Sequence, residues 1–163
     1  MEKIYIGRVV STHGIKGEVR VLSDFPYKKK VFFDGGVLLI DDLKYVIRSY
    51  RQHKIYDMVT LNNYKNINEV EFLIGKKIYV DRDAMTFHDD EILDCDLMEF
   101  LLLCDDLEGK IIEIFQASPF NKVVRFEVKG KSGLFPLNNK NIKIDKSTKC
   151  IYLRKEDVVF DED

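Results

Sequence analysis

The chain has 163 residues, of which 45% are hydrophobic and 33% charged, a composition typical of globular proteins with one or two small domains. No apolar run approaches the roughly 18 residues of a membrane-spanning helix, and no signal-peptide pattern precedes the first strand. The three cysteines, Cys95, Cys104 and Cys150, lack Cys-x-x-Cys spacing, which favours reduced thiols. We therefore expect a cytoplasmic protein that does not enter a membrane.

The net charge of −2 conceals a strong segregation of charge along the chain. Residues 1–30 contain seven basic and three acidic side chains, whereas residues 81–108 contain one basic and eleven acidic. Residues 109–155 contain eleven basic and three acidic side chains, and residues 156–163 contain five acidic and no basic ones. Two basic blocks separated by an acidic belt could bind a polyanion through selected faces, although most charge runs are simply solvated surface.

The first half of the chain is dominated by strand patterns. Alternating, β-branched and aromatic segments predict strands at residues 3–11, 18–23, 37–40, 44–50, 56–62 and 76–81. One helix is predicted at residues 66–75, with Asn66 as its N-cap, Glu69 as the reciprocal partner and Gly75 at its end. Many short strands with a single helix indicate a small β-barrel.

Strand patterns resume after an acidic, turn-like stretch at residues 80–91. They predict strands at residues 97–105, 110–116, 122–130, 134–137, 141–145 and 149–154. The acidic pairs Asp41-Asp42, Asp89-Asp90 and Asp105-Asp106 are predicted to lie in turns, and residues 156–163 to be frayed. We predict an all-β fold, mainly β with one or two short helices, in which two small β-barrels follow one another. They occupy residues 1–86 and 97–163, joined by a linker at 87–96.

No catalytic or metal-binding constellation stands out in the sequence. His13, His53 and His88 lack the spacing of zinc ligands and are expected in exposed turns or loops. Nucleotide-binding glycine patterns, a Walker loop and a Gly-x-Ser-x-Gly elbow do not occur. Cys104 lies in an apolar run, where burial makes a thiol unreactive. We expect no catalytic residue, no cofactor and no metal, and therefore a protein that is not an enzyme.

The stretch THGIKGEVRV, residues 12–21, contains two glycines three positions apart and continues directly as a strand. Phosphate loops lead into a helix, and KH-type Gly-x-x-Gly clamps lie between helices, whereas both flanks here have strand patterns. The stretch is therefore predicted to be a turn between strands, with glycines in backbone conformations that other residues disfavour. Lys16 would stand at the tip, with Arg8 and Arg20 on the flanking strands, where a phosphate backbone could bind.

Four segments, in matching order, resemble the RimM family of ribosome maturation factors. They are GRVVSTHGIKGEVRVLSDFP at 7–26, NINEVEFLIGKKIYVDRDAM at 66–85, EGKIIEIFQASPFNKVVRFEV at 108–128 and LFPLNNKNIKIDKSTKCIYL at 134–153. The first is similar to the family's opening motif, and the second to the helix and strand that close its first barrel. The last two resemble the start and end of a PRC-type barrel. The resemblance covers nearly the whole chain and implies that the second barrel is of PRC type.

The resemblance implies a non-enzymatic factor that binds the small (30S) ribosomal subunit and assists assembly of its head and processing of 16S rRNA. It implies contacts with small-subunit ribosomal protein nineteen and with 16S rRNA, and we expect a monomer. The candidate rRNA- or ribosome-binding residues are the motif turn and its flanking cations: Arg8, Thr12, His13, Gly14, Lys16, Gly17, Glu18 and Arg20. The candidate residues for ribosomal-protein binding are Ile92, Leu93, Asn121, Lys122 and Arg125. Contacts between cations and phosphates would make binding salt-dependent.

The segment ILDCDLME, residues 92–99, departs from the family pattern Tyr-Tyr-Trp-x-Asp-Leu-Ile-Gly. Ile92 and Leu93 stand where the family has a tyrosine pair implicated in ribosome binding, and Asp94 stands where it has tryptophan. Lys122 stands where the family often has aspartate. Two aliphatic side chains could still bury apolar area on a partner, but they lack the hydroxyls and stacking faces of tyrosine.

Two other classes of protein are alternatives. One is an enzyme on a β-barrel, such as a flavin-type reductase, which similar barrels suggest and the missing catalytic constellation disfavours. The other is a PRC-barrel adaptor that binds a different protein, in which the first barrel has only a structural role. Indifference to rRNA at every salt concentration would favour the adaptor.

Overall fold

The structure, a computed structural model, describes residues 1–119 and 121–161. The chain divides into two compact units, Met1–Thr86 and Phe87–Asp163. The first unit contains six strands: β1 (Lys3–His13), β2 (Glu18–Leu22), β3 (Val37–Ile40), β4 (Leu43–His53), β5 (Tyr56–Leu61) and β6 (Lys77–Asp81). These strands match the six that the residue pattern predicts.

The six strands of the first unit form a closed barrel in the order β1-β2-β5-β4-β3-β6, in which all neighbours are antiparallel. Aliphatic and polar residues alternate along the strands, so that aliphatic side chains fill the interior of the closed barrel while polar side chains face outward. On β1, for example, Ile4 and Ile6 are buried, whereas Lys3, Tyr5 and Arg8 are exposed. The expected first barrel is confirmed.

The predicted helix at residues 66–75 is instead two short 3₁₀ helices, Ile67–Glu69 and Glu71–Leu73. Its N-cap is as predicted, since Asn66 Oδ1 accepts a hydrogen bond from the Glu69 backbone N–H at 3.2 Å. Val70, between the two turns, has φ −117° and ψ −7°, which interrupts a regular helix. Both Val70 and Leu73 are fully buried, so packing against the barrel determines this segment more than helix propensity does.

The second unit contains a one-turn helix, α1 (Asp94–Leu97), and a seven-stranded sheet. Its strands are β7 (Leu101–Cys104), β8 (Leu107–Ser118), β9 (Asn121–Val128), β10 (Lys131–Pro136), β11 (Lys143–Asp145), β12 (Cys150–Leu153) and β13 (Val159–Phe160). The order is β11-β12-β7-β8-β9-β10-β13, and β12 pairs with β7 in parallel. The core includes the fully buried rings of Phe126 and Phe135. The fold is all-β, as predicted, and this sheet is compatible with the expected barrel.

The segment 87–96, suggested above as a linker, lies within the second unit. Leu93 is only 3% exposed, and the helix α1 begins directly after it. Lys146 Nζ donates to the carbonyl oxygens of His88 and Glu91 at 3.0 and 2.8 Å. The segment is therefore held against the fold of the second unit.

The acidic tail is ordered as far as Asp161, contrary to the expectation of fraying. Strand β13 pairs with β10, and the Asp161 backbone N–H donates to the Ser132 carbonyl at 2.8 Å. Positions 162 and 163 lie outside the described residues. The prediction that acidic pairs lie in turns is confirmed, since Asp41, Asp42 and Asp105 have positive φ values of 53°, 63° and 52° between paired strands.

Candidate functional site

The hairpin between β1 and β2 carries the 12–21 motif. Gly14 and Gly17 have φ +68° and +91°, so both occupy the left-handed region predicted for them. Around Gly14 there is no atom within 4 Å of the position a Cβ would take, whereas a Cβ on Gly17 would lie 3.3 Å from the Asn66 backbone nitrogen. Gly14 therefore only shapes the turn, while Gly17 also lets it pack against residues 64–66.

The tip of this turn presents two exposed side chains on a fixed backbone. Ile15 is 76% exposed, and its carbonyl oxygen accepts a hydrogen bond from the Ile67 N–H at 3.0 Å. The Lys16 side chain is exposed and makes no hydrogen bond or ion pair with any residue that the structure describes. Lys16 is thus a cation available to an anionic partner, as predicted.

Arg20, also expected to face a phosphate, is instead bound within its own hairpin. Its Nη1 donates to the Thr12 carbonyl oxygen at 2.9 Å and to Ser11 Oγ at 3.2 Å, and its Nη2 lies 2.6 Å from His13 Nδ1. Its guanidinium carbon lies 5.9 Å from the centre of the Tyr56 ring. Because a guanidinium has no acceptor, His13 Nδ1 must accept this hydrogen bond. Arg20 therefore holds the end of β1 and positions the turn.

Glu18 is bound by Arg51 of strand β4. The Arg51 Nε and Nη2 donate to the two Glu18 carboxylate oxygens at 2.9 and 2.7 Å. This hydrogen bonding from Arg51, opposed in part by burial, lowers the pKa of Glu18. The rings of His13 and His53 lie 5.8 Å apart between centroids. Each is the half-buried last residue of a strand, so the expectation of exposed turn histidines was wrong for these two.

We call the group His13, Glu18, Arg20, Arg51 and His53 the hairpin cluster. It covers the fully buried Met58, which pairs with Arg20 on one side and Arg51 on the other. The sequence does not indicate that Arg51 and His53 join the motif, because they reach it only through the strand order of the barrel. A single sequence contains no signal for that neighbourhood, since Glu18 and Arg51 are 33 residues apart.

Arg8, the remaining cation of the first predicted set, does not join the hairpin cluster. It is exposed on β1, opposite Leu22 of β2 and Lys77 of β6. Its side chain has neither a hydrogen bond nor an ion pair within residues 1–119 and 121–161. It is therefore a second unoccupied cation of the first unit.

In the second unit, Leu93 and Ile92 are not the exposed pair that the sequence suggested. Leu93 is a core residue at the start of α1 and is only 3% exposed, so it offers almost no surface to a partner. Ile92 is partly buried against the core of the same unit. The aliphatic residues at the family's tyrosine positions thus stabilise the fold itself.

Lys122 and Asp94, two departures from the family pattern, contact each other. Lys122 Nζ lies 3.0 and 2.8 Å from the two carboxylate oxygens of Asp94. The side chains are 28% and 43% exposed, respectively. This ion pair joins strand β9 to helix α1.

The other two residues of the second predicted set also have defined surroundings. Arg125 donates to Glu113 at 3.2 Å and to Asp161 at 3.1 Å, so its charge is largely compensated. Asn121 Oδ1 is buried and, among the described residues, has no hydrogen-bond partner. Asn121 and Lys122 therefore lie together at the start of β9, whereas Arg125 is bound within the sheet.

The described part of the chain contains no group of three or more His, Cys, Asp or Glu residues arranged to hold a metal ion. Burial raises the pKa of the Cys104 thiol, consistent with the unreactive cysteine predicted above. None of the helices formed by residues 1–119 and 121–161 is long and apolar enough to cross a membrane. The hairpin cluster holds a turn that presents Lys16 as an available cation, an arrangement that suits binding.

The fold and this site define a two-unit, all-β protein whose first barrel presents a glycine-bounded basic turn. Residues 4–85 match the family model described as the RimM N-terminal domain. Proteins named ribosome maturation factor RimM from two Staphylococcus aureus strains, JH9 and Newman, are each 36% identical to this chain. The aligned region covers 70% of this chain and 73% of each relative. The chain belongs to the RimM family.

Two solved structures are also similar to this chain. One, from Pseudomonas aeruginosa, is described as a 16S ribosomal RNA processing protein RimM; it is 19% identical, with 94% of this chain and 97% of that chain covered and a TM-score of 0.46. The other is the N-terminal domain of RimM from Thermus thermophilus, 17% identical, with 53% of this chain and 98% of that chain covered and a TM-score of 0.47.

Proposed function

We propose that this chain is a cytoplasmic ribosome maturation factor that binds the small (30S) ribosomal subunit. It assists assembly of the subunit head and processing of 16S rRNA by binding alone, without catalysing a reaction. Membership of the RimM family supports this role, because the relatives that are 36% identical to it over 126 residues are named ribosome maturation factors. The alternatives, a flavin-type reductase and an adaptor for another protein, have no comparable support.

The observation that carries the proposal is the exposed Lys16 on a turn whose backbone is fixed from both sides. Gly14 and Gly17 allow the turn, Arg20 ties the end of β1, and Gly17 packs against residues 64–66. Because the backbone of the turn is already fixed, binding has to order only the Lys16 side chain, which can position the protein on an rRNA phosphate. Arg8 is a second candidate for such a contact.

The remaining residues of the first set act through the shape of the turn. Thr12 supplies a carbonyl to Arg20, His13 accepts from the same guanidinium, and Glu18 is held by Arg51. We assign them a positioning role, because their polar groups are already bonded within the hairpin. Loss of any one would misplace Lys16 without removing its charge.

For small-subunit ribosomal protein nineteen, we propose a contact at the start of β9 and the adjoining α1. Asn121 is half-buried there, with a side-chain oxygen that has no hydrogen-bond partner among the described residues, and Lys122 retains some exposure beside Asp94. Ile92 is partly buried against the core of its own unit, so only the rest of its side chain adds apolar area to the contact. Leu93 is excluded from the contact by its burial, and Arg125 is already bound to two carboxylates.

The mechanism that follows is stabilisation by occupancy. A factor that binds rRNA and a ribosomal protein more tightly in their mature arrangement shifts the population toward that arrangement. The shift equals the difference in binding free energy between mature and immature forms, so no chemical step is needed.

Co-sedimentation of the tagged protein through lysate gradients tests this proposal. We expect it to travel with free small subunits, to be absent from whole ribosomes, and to be released as salt rises. Lys16→Glu should bind more weakly, with the logarithmic salt slope reduced by about one phosphate contact. Lys44→Glu is the matched control, because Lys44 is an exposed, unpaired lysine on the β3–β4 hairpin of the same barrel.

Two results would contradict the proposal in different ways. Unchanged binding of Lys16→Glu at low salt would show that the turn makes no phosphate contact. Sedimentation of the wild-type protein at the top of the gradient at every salt concentration would argue against a ribosomal role and favour the adaptor alternative.

A further inference from the structure

We propose that the outer face of the β1–β6 ladder is a binding surface for unpaired RNA, distinct from the motif turn. Tyr5, Arg8, Lys77 and Tyr79 form this surface, which we call the tyrosine face. A base stacks on Tyr5, and the neighbouring phosphates bind Arg8 and Lys77. The inference rests on the proposed function only for its choice of RNA as the nucleic acid.

The strand register brings these four residues to one side of the barrel. Tyr5 pairs directly with Tyr79, and Arg8 pairs directly with Lys77. Ile4, Ile6, Ile78 and Val80 are buried inside the barrel. The register of β1 shifts between Tyr5 and Gly7, and this bulge lets both Tyr5 and Arg8, three positions apart, face outward. Two residues lie between Tyr5 and Arg8, so their backbones are at most about 10 Å apart along the strand, which a stacked nucleotide and its adjoining phosphates can span.

Tyr5 presents an aromatic surface to solvent beside Tyr79, whose own ring is covered in part by Lys3, with Nζ 5.4 Å from the ring centroid. The two rings meet edge to face, with centroids 5.7 Å apart, and Tyr5 remains 48% exposed. A shallow cavity of about 300 Å³ lies beside Tyr79 and Lys77 and also borders Asp42. An exposed ring that is held by its partner can stack on a base at little cost in side-chain entropy.

Arg8 and Lys77 are opposed without a counter-charge. Like charges directly across an antiparallel pair are destabilising, yet neither side chain has an ion-pair partner in the described parts of the chain. The carboxylates nearby are occupied, because Asp41 pairs with Lys76 and Asp42 pairs with Lys3. An incoming phosphate would neutralise both cations, whereas an acidic protein segment would gain nothing from the tyrosine rings beyond ordinary apolar contact.

An exposed aromatic ring beside two cations favours unpaired RNA over a duplex. In a duplex the base faces are stacked on one another, so an aromatic side chain can reach them only in loops, bulges and single strands. Cations that track the backbone together with rings that stack on bases are the recurring features of single-strand binding.

Fluorescence anisotropy with a labelled twelve-nucleotide oligouridylate, and with an RNA duplex of equal length, tests the inference on the full chain. We expect the single strand to bind more tightly than the duplex. Tyr5→Ala should weaken binding roughly 5- to 100-fold, and Tyr5→Phe, which keeps the ring, should retain it. Arg8→Ala and Lys77→Ala should each reduce the logarithmic salt slope by about 0.7.

Tyr152→Ala is the matched control, because Tyr152 is a 40% exposed strand tyrosine opposite Lys143 in the second unit. Equal losses for Tyr5→Ala and Tyr152→Ala, equal affinity for duplex and single strand, or unchanged binding by Tyr5→Ala would each overturn the inference. The chain has no tryptophan, so the emission of its eight tyrosines can be measured, and the comparison of Tyr5→Phe with wild type isolates the part that comes from Tyr5. Quenching of the tyrosine emission by the oligonucleotide should be smaller in Tyr5→Phe than in wild type, a test that does not depend on the folding of Tyr5→Ala. Equal quenching in Tyr5→Phe and wild type would overturn the inference.

Small-subunit co-sedimentation of the same variants separates this inference from the proposed function. Wild-type protein that sediments with small subunits but does not bind the oligonucleotide would overturn the tyrosine face alone. Protein that binds the oligonucleotide through Tyr5 but never sediments with subunits would overturn the proposed function alone.

Discussion

Lys16 and Arg20 lie on the same hairpin, but only Lys16 is available to a partner. The difference comes from neighbours that the fold supplies, since Arg20 finds the Thr12 carbonyl and His13 within reach, while Lys16 extends past the end of both strands. Residue type and spacing correctly predicted a basic turn here. They could not predict which cation is occupied, because that depends on side-chain contacts formed only in the folded hairpin.

Gly14 shows how a single backbone angle can be tested. Its φ of +68° is strained for a β-branched residue, whereas the space around it is open. We expect Gly14→Val to lower the free energy of unfolding by about 1–2 kcal/mol and to distort the turn while the barrel remains folded. Gly14→Asn, which tolerates this angle, should be nearly neutral. Equal melting temperatures for Gly14→Val and wild type would show that the angle is not required.

Asp57 is the one charged side chain among the described residues that is fully buried, and it accepts from Tyr50 Oη at 2.6 Å. Its other oxygen lies 2.9 Å from Lys28 Nζ, an ion pair whose geometry falls short of a hydrogen bond. Burial first, and then the bond to Asp57, raise the pKa of Tyr50 to about 12. The neutral phenol is therefore part of what stabilises the loop around Lys28 against the barrel.

This raised pKa of Tyr50 has a defined pH signature. Because it lies above the value of roughly 10 in unfolded chains, its contribution to stability is complete below about pH 10 and is lost as pH rises toward 12. The contribution is about 2 kcal/mol, and Tyr50→Phe should flatten the alkaline loss of stability in urea unfolding. The exposed Tyr152→Phe serves as control. The same alkaline slope in Tyr50→Phe and wild type would refute the assignment.

At the scale of elements, the sequence correctly indicated where the segment after Asn66 begins, but not which kind of helix follows. The cap at Asn66 and Glu69 forms as predicted, because it needs only residues three apart in sequence. The α-helix expected behind it does not form, because the buried Val70 interrupts it between two 3₁₀ turns. The strands of the first barrel were all predicted, since period-two alternation is itself produced by the barrel wall.

The pairing of Asp94 with Lys122 gives a physical account of two departures from the family pattern at once. A cation at position 122 would be unfavourable beside a neutral, apolar segment, but here it meets an acidic residue that replaces the usual tryptophan. The sequence alone does not connect the two changes, because nothing in it indicates that positions 28 residues apart are in contact. The structure shows that they belong to one contact.

A charge exchange tests this contact between β9 and α1. Lys122→Asp should lower stability by about 1 kcal/mol, because it places two carboxylates together. The double variant Asp94→Lys with Lys122→Asp should recover at least half of that loss, with a coupling energy of about 0.5–1 kcal/mol in urea unfolding. Lys143→Asp, on the β11 strand of the same unit, controls for the change in net charge. Additive effects of the two substitutions would show that the pair contributes nothing.

At the scale of the whole molecule, the charge blocks seen in the sequence are partly neutralised within the second unit. Arg125 binds Asp161 and Arg154 binds Asp157, so the acidic tail compensates the basic block that precedes it. Counting charges therefore overstated the basic character of residues 109–155. Among the described residues, Arg8, Lys16 and Lys77 of the first unit have no ion pair, and neither do the exposed Lys110, Lys129 and Lys131 of the second unit. Accessible positive charge therefore remains on both units.

The division into Met1–Thr86 and Phe87–Asp163 makes a final prediction about the two parts of the chain. Each unit has its own buried core and its own sheet, and each is of a size that can fold alone. Residues 1–86 and 87–163, produced separately, should each give a β-type circular dichroism spectrum and unfold cooperatively. A second fragment that starts at residue 97 should be clearly less stable, because it lacks Leu93 and the helix α1 that pack in that unit. Equal stability of the fragments starting at 87 and 97 would restore residues 87–96 to the status of a linker.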